Sequence, residues 1–160
     1  MSKKFTCFQS LSGFKLLAGW LLVLICFKAY SQDTPIELTW DQLKSLQFEE
    51  AYDENKGGFY QKPKFGIAQK ALEGKKVKIT GYVLPMDAEL NYYVVSAFPF
   101  ASCFFCGGAG PESVVDLKLA DQSLKFKNDE RVSFCGVLRL NEGNVFELPY
   151  ILNQAEVCED

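Results

Sequence analysis

Lys76-Val77-Lys78-Ile79-Thr80-Gly81-Tyr82-Val83-Leu84 alternates apolar Val77, Ile79 and Val83 with polar Lys76, Lys78 and Thr80. A period of two is the pattern of a strand with one buried and one wetted face. Gly81 interrupts the alternation at mid-strand, where a glycine marks a bend or a bulge. Pro85-Met86-Asp87 reads as the end of this strand. Four further runs follow: Asn91 to Pro99, rich in Tyr and Val, then Ser113 to Leu119, Arg131 to Leu140 and Leu148 to Val157. Gly136 repeats the mid-strand glycine in the fourth. Asn141-Glu142-Gly143-Asn144 is a turn by composition. In the polar stretch Ser123 to Asp129, Leu124 and Phe126 are placed to dip inward. Five short strands kinked by glycine predict a small closed barrel, because closure needs strong curvature and removes exposed edges.

Upstream of Gly74 the signals are weaker. Thr39-Trp40-Asp41-Gln42-Leu43 reads as a helix start, with Thr39 as N-cap and Gln42 completing a capping box. Leu43, Leu46 and Phe48 continue an apolar side for one or two turns. Asp53 to Lys64 is polar, with Gly57, Gly58 and Pro63, and reads as an exposed connection. Phe65, Ile67, Ala68, Ala71 and Leu72 suggest a short helix or an arm laid on the core. Trp40 and Phe65 are read as packing residues, since large aromatics dominate core burial.

The first 31 residues have a different character. Lys3 and Lys4, then Lys15, precede an apolar run from Leu16 to Phe27, and Ala29-Tyr30-Ser31 gives the small-x-small pattern of a signal-peptidase site. The run is shorter than the roughly 20 residues a spanning helix needs. Residues 1–31 therefore read as a signal peptide, with retention as an anchor the rival. Cys26 follows Ile25, not the small residue that a lipid-modified cysteine would follow. The expected organisation is signal peptide 1–31, N-terminal extension 32–72 and β-barrel domain 73–160, in a periplasmic or secreted product with no stable membrane span.

Four of the 17 basic residues and none of the 20 acidic ones fall in residues 1–31, leaving 13 against 20, formally −7. That balance counts against nucleic acid as a partner, which needs clustered Lys and Arg. The 160 residues contain no histidine, so His-based triads, imidazole metal ligands and His switches are all excluded. No catalytic residue is assigned.

With the leader removed, four cysteines remain: Cys103, Cys106, Cys135 and Cys158. An oxidising compartment favours disulfides, and four cysteines allow three pairings. Cys103-Phe104-Phe105-Cys106 is a C-x-x-C pair followed by Gly107, Gly108, Gly110 and Pro111, a bend on which two thiols can face one point. The four are the candidate ligands of a soft metal such as zinc, at a tetrahedral thiolate site. On the fourth strand Cys135 faces outward, opposite Val132, Phe134, Leu138 and Leu140. On the fifth, Ile151, Ala155 and Val157 are assigned to the inner face, leaving Cys158 outside. The glycines read as a structural turn before an anion nest, and Glu112 as a solvated charge. A greasy tip of Phe104 and Phe105 would suit a protein partner.

The pieces Gly74 to Val83, Glu130 to Leu138 and Tyr150 to Val157 resemble strands one, four and five of an OB-fold, a five-stranded Greek-key barrel. The fold class is thus mainly β: a small five-stranded OB-like Greek-key barrel with a short helical N-terminal extension. Thr39 to Leu43, Pro63-Lys64-Phe65 and Leu72 to Met86 also resemble a family of exported bacterial proteins of unknown function. In many members of that family the loop after the second strand reads Cys-x-His and then a proline run, where this chain has Cys103 to Cys106 and then glycines. The resemblance implies an exported OB-like domain and brings no activity. Three functions stay open: a non-enzymatic metal-handling or metal-stabilised accessory, a thiol-disulfide redox protein using Cys103 and Cys106, and a disulfide-stapled interaction module.

Overall fold

The computed structural model describes residues 34–54, 57–87 and 89–158. The signal-peptide reading falls on residues 1–31 and lies outside the described residues. Among those described, no helix is long and apolar enough to cross a membrane.

Within the described residues, eight strands and two single-turn helices run in the order β1 (Ile36–Glu37), α1 (Trp40–Leu43), β2 (Gln47–Asp53), β3 (Gly58–Lys64), α2 (Ile67–Lys70), β4 (Lys76–Asp87), β5 (Tyr92–Ser96), β6 (Val114–Leu119), β7 (Glu130–Leu140) and β8 (Tyr150–Val157). Three 3-10 turns, Phe100–Ser102, Phe104–Cys106 and Pro111–Ser113, lie between β5 and β6. Strands β4, β5, β6, β8 and β7 pair in that order, and β7 pairs back onto β4. The result is a closed barrel of five strands, as the alternation and the glycines predict. All contacts are antiparallel except β6 with β8. A short parallel β1 is added beside β4.

The barrel closes because its inner face is apolar and its backbone passes close at two glycines. Val77, Ile79, Val83, Tyr93, Val95, Leu117, Phe134 and Leu138 share one buried cluster. A Cβ on Gly81 would lie 2.5 Å from the Ser96 carbonyl oxygen and 2.9 Å from the Trp40 ring. A Cβ on Gly136 would lie 2.7 Å from the Asn153 carbonyl oxygen. Both positions require the missing side chain because backbone is in the way.

The extension packs on the barrel. Leu38, Leu43 and Phe65 belong to the same buried cluster as the barrel strands. The Thr39 N–H donates to Gln42 Oε1 (2.8 Å), half of the expected capping box. Trp40 Nε1 donates to the Thr80 carbonyl (2.8 Å), so Trp40 packs as read. The buried Tyr150 hydroxyl donates to the Leu43 carbonyl (2.9 Å) and accepts from Gln69 Nε2 (2.6 Å). Burial first, then the Glu112 carboxylate, pushes the Tyr150 phenol up, so it stays a donor. Phe65 meets Tyr150 edge-on, and Phe126 meets both Tyr93 and Phe134 edge-on.

Four expectations are corrected. Asp53 to Lys64 is not an open connection: β2 and β3 form a hairpin in register from Gln47↔Lys64 to Asp53↔Gly58. Helix α1 stops at Leu43, and Phe48 lies in β2, exposed. Strand β4 runs through Pro85 to Asp87, with an irregularity between them that absorbs the proline. In β8 the inward residues are Tyr150, Leu152 and Ala155, not Ile151, and Val157 is exposed. Gln154, which has φ 52 and is skipped in both ladders, changes the phase between Leu152 and Ala155; Val157 is the last residue of the strand.

Candidate binding cleft and cysteine loop

The cysteine loop is built from its own backbone. The N–H groups of Cys106 and Gly108 donate to the Cys103 carbonyl (3.2 and 3.1 Å), and that of Gly107 to Phe104 (3.0 Å). Gly107 has φ 76, a left-handed conformation that glycine takes without strain. The Ser113 N–H donates to the Gly110 carbonyl (3.0 Å). These donors are spent inside the loop and are not turned on an anion, in keeping with the structural-turn reading. The loop is pinned to the barrel by the Phe100 N–H, which donates to Asp129 Oδ1 (2.7 Å), while the Asp129 N–H donates to the Val83 carbonyl (2.9 Å).

This folding buries Cys103 and exposes Cys106. Cys103 packs with Leu84 and Val94 in a small apolar cluster, with Met86, Tyr92 and Leu148 around it. Desolvation in the loop and, after it, the neighbouring Cys103 push the Cys106 thiol up. In a redox C-x-x-C pair it is the first, attacking thiol that is driven down, by a helix N-terminus or a basic neighbour. Here the turn after Cys103 is three residues long.

The remaining cysteines are bonded to each other. Cys135 and Cys158 form a disulfide with Cα atoms 5.7 Å apart, closing a separation of 23 residues. The structure therefore brings the four predicted ligands together as two pairs. Cys135 stands opposite Lys78 on β4, whereas Cys103 packs on Leu84. Six residues of strand separate those positions, about 20 Å. Among the described residues no three His, Cys, Asp or Glu side chains converge on a point suited to a metal ion.

Beside the cysteine loop lies a cleft of about 540 Å³. The β2–β3 hairpin contributes Phe48, Tyr60 and Pro63, the cysteine loop Phe104, Phe105 and Pro111, and the β7–β8 loop Gly143 to Pro149. Tyr92 of β5 lines it as well. Asn141, itself buried, shapes the β7–β8 loop. Its Nδ2 donates to the carbonyls of Asn144 (2.7 Å) and Glu147 (3.0 Å), and its Oδ1 accepts from the Asn144 N–H (2.9 Å). The loop thereby holds Phe146 84% exposed.

Charges gather next to the cleft. Arg139 Nη2 donates to Glu147 Oε2 (3.0 Å) and holds that carboxyl below its ordinary range. Lys118 Nζ reaches Asp116 Oδ2 (2.8 Å) and stands 5.5 Å from the centre of the Tyr92 ring. Asp116 Oδ1 is buried without a hydrogen-bond partner, and burial pushes this carboxyl up in spite of Lys118. Burial, then the carboxylates of Asp116 and Glu147, pushes the Tyr92 phenol up.

Sequence reasoning found Phe104 and Phe105 but missed Phe146, Glu147 and Asp116. Asn141-Glu142-Gly143-Asn144 had signalled a turn, and its exposed Val145-Phe146 was the available clue. The unpaired acid at Asp116, inside the alternation of β6, was another.

No family model matches the chain, and no curated protein matches it either. One similar solved structure is a DUF3299 family protein from Pseudomonas aeruginosa PAO1. It is 15% identical, with a TM-score of 0.49, over 79% of this chain and 98% of that one.

Proposed function

We propose that the protein is an exported, non-enzymatic OB-like module, stapled by Cys135–Cys158, that captures a segment of a partner protein in the aromatic cleft. The observation that carries this reading is the cleft itself, where three separate segments turn aromatic side chains onto one concavity of about 540 Å³. Ligand sites are concavities of this size with apolar walls and few polar groups. Exposed aromatic surface of this kind is costly in water unless something covers it. The alternative, a thiol-disulfide enzyme, would draw on Cys103, which stands before a turn of only three residues and not at the N-terminus of a full helix.

A photo-reactive amino acid placed at Phe146 in cells producing the protein tests the reading. It should give a discrete adduct that forms again with the purified partner. The same group at Ile67, 91% exposed and outside the cleft, should not. Equal adducts at both positions, or none at either, would reject the reading.

A second reading rests on the free pair Cys103 and Cys106. Adjacent thiols suit a soft metal such as zinc, but two thiolates are half of a tetrahedral set. The other two ligands would come from outside the chain. Native mass spectrometry with added zinc should then show one retained ion, lost in Cys106→Ser. Retention by the serine variant would remove this reading.

A further inference from the structure

The thiol pair beside the cleft has a geometry of its own. The Cys106 N–H donates to the Cys103 carbonyl (3.2 Å). That is the bond of a tight turn, whose first and last Cα atoms lie within about 7 Å. A disulfide takes Cα separations of about 4.4–6.8 Å. The two thiols also differ in access. Cys106 is exposed, whereas Cys103 is wholly buried against Leu84 and Val94. A reagent from solution therefore reaches one sulfur, and the other is reached through its neighbour. Cys135 and Cys158 are already bonded to each other, so neither competes for Cys106. Phe104 and Phe105 stand between the two thiols and line the cleft.

We infer that Cys103 and Cys106 are a redox modification site, closed by a small-molecule disulfide into a reversible bridge that stiffens the aromatic wall of the cleft. The Cys106 thiolate attacks the small disulfide, forming a mixed disulfide and releasing one thiolate. The Cys103 thiolate then attacks the Cys106 sulfur, and the second thiolate leaves. Two protein thiols are oxidised and one small disulfide is reduced to two thiols. The two protons pass from the cysteines to the leaving sulfurs. The pair reacts here as a substrate and not as a catalyst. Joining both ends of the turn removes open conformations of the backbone that carries Phe104 and Phe105. The bearing of the bridge on partner capture rests on the reading of the cleft as a partner site; the bridge itself does not.

The test exposes reduced full-length protein to oxidised glutathione with a chelator present, followed by an acid quench, alkylation and trypsin. Residues 79–118 contain no Lys or Arg before Lys118, so both thiols lie in one peptide, and Cys135 and Cys158 fall in two others. That peptide should become two hydrogens lighter, carry no glutathione and recover its mass with reduced glutathione. Cys103→Ser should instead stop with glutathione held on Cys106. Cys106→Ser, altered at the exposed position, should stay unmodified, which keeps the test decisive should the buried variant not fold. In the bridged protein, hydrogen exchange at the Gly107 and Gly108 amides should slow at least about tenfold. Glutathione retained on Cys106 of the unaltered protein, or two thiols left free, would overturn the site. Unchanged exchange in the bridged protein would overturn the stiffening. Neither readout involves a partner, so cross-linking at Phe146 decides the cleft separately.

Discussion

At Gly81 a single hydrogen in place of a methyl lets β4 bend between the Ser96 carbonyl and the Trp40 ring. The nearest obstruction is backbone and cannot rotate aside. Gly81→Ala should therefore lower stability by about 1–3 kcal/mol, as overpacking does, measured by urea unfolding. Gly57→Ala has open space around it, and its penalty comes only from its φ of 66, so it should cost less. Asp116 gives a pH signature. Its carboxyl is pushed up by burial, so the folded state holds that proton more tightly than the unfolded chain. For an acid shifted this way, stability is greatest below the ordinary carboxylate range and is lost as pH rises through the raised pKa. Asp116→Asn should accordingly be more stable than the parent at about pH 8, by about 1 kcal/mol. The gap should close at about pH 3, as read by thermal unfolding across that range.

Among the elements, the β7–β8 loop depends on Asn141. Asn141→Ala removes bonds to three backbone groups of that loop. It should cost about 1–3 kcal/mol and speed hydrogen exchange at the Asn144 amide, with β4 unaffected. Unchanged exchange at Asn144 would mean that the loop is held by something else. The barrel strands were legible because each buries one face, which forces the period of two. The β2–β3 hairpin was not, because neither of its strands has a fully buried residue, so burial imposes no strict alternation on it. The phase change at Gln154 was also hidden, since a left-handed glutamine has no composition signal. The cleft was half legible. Phe104 and Phe105 announced themselves between two cysteines, but the cleft is formed by segments about 50 and 40 residues away on either side. Only the closed strand order brings those together.

For the whole molecule, the disulfide ties β7 to the C-terminal end of β8, and the Cys158 N–H donates to the Ser133 carbonyl alongside it (2.9 Å). Closing 23 residues is worth about 3 kcal/mol through the entropy of the unfolded chain. Cys135→Ser with Cys158→Ser should lose that much in urea unfolding and keep the cleft, whereas Cys103→Ser should act on the cluster of Leu84 and Val94. The most direct test of the account is the adduct yield through a photo-reactive residue at position 146, compared between the parent and Phe105→Ala. The account predicts that Phe105→Ala cuts the yield at least about tenfold, as loss of an aromatic anchor does, with thermal stability nearly unchanged. An undiminished yield in a folded Phe105→Ala protein would contradict it.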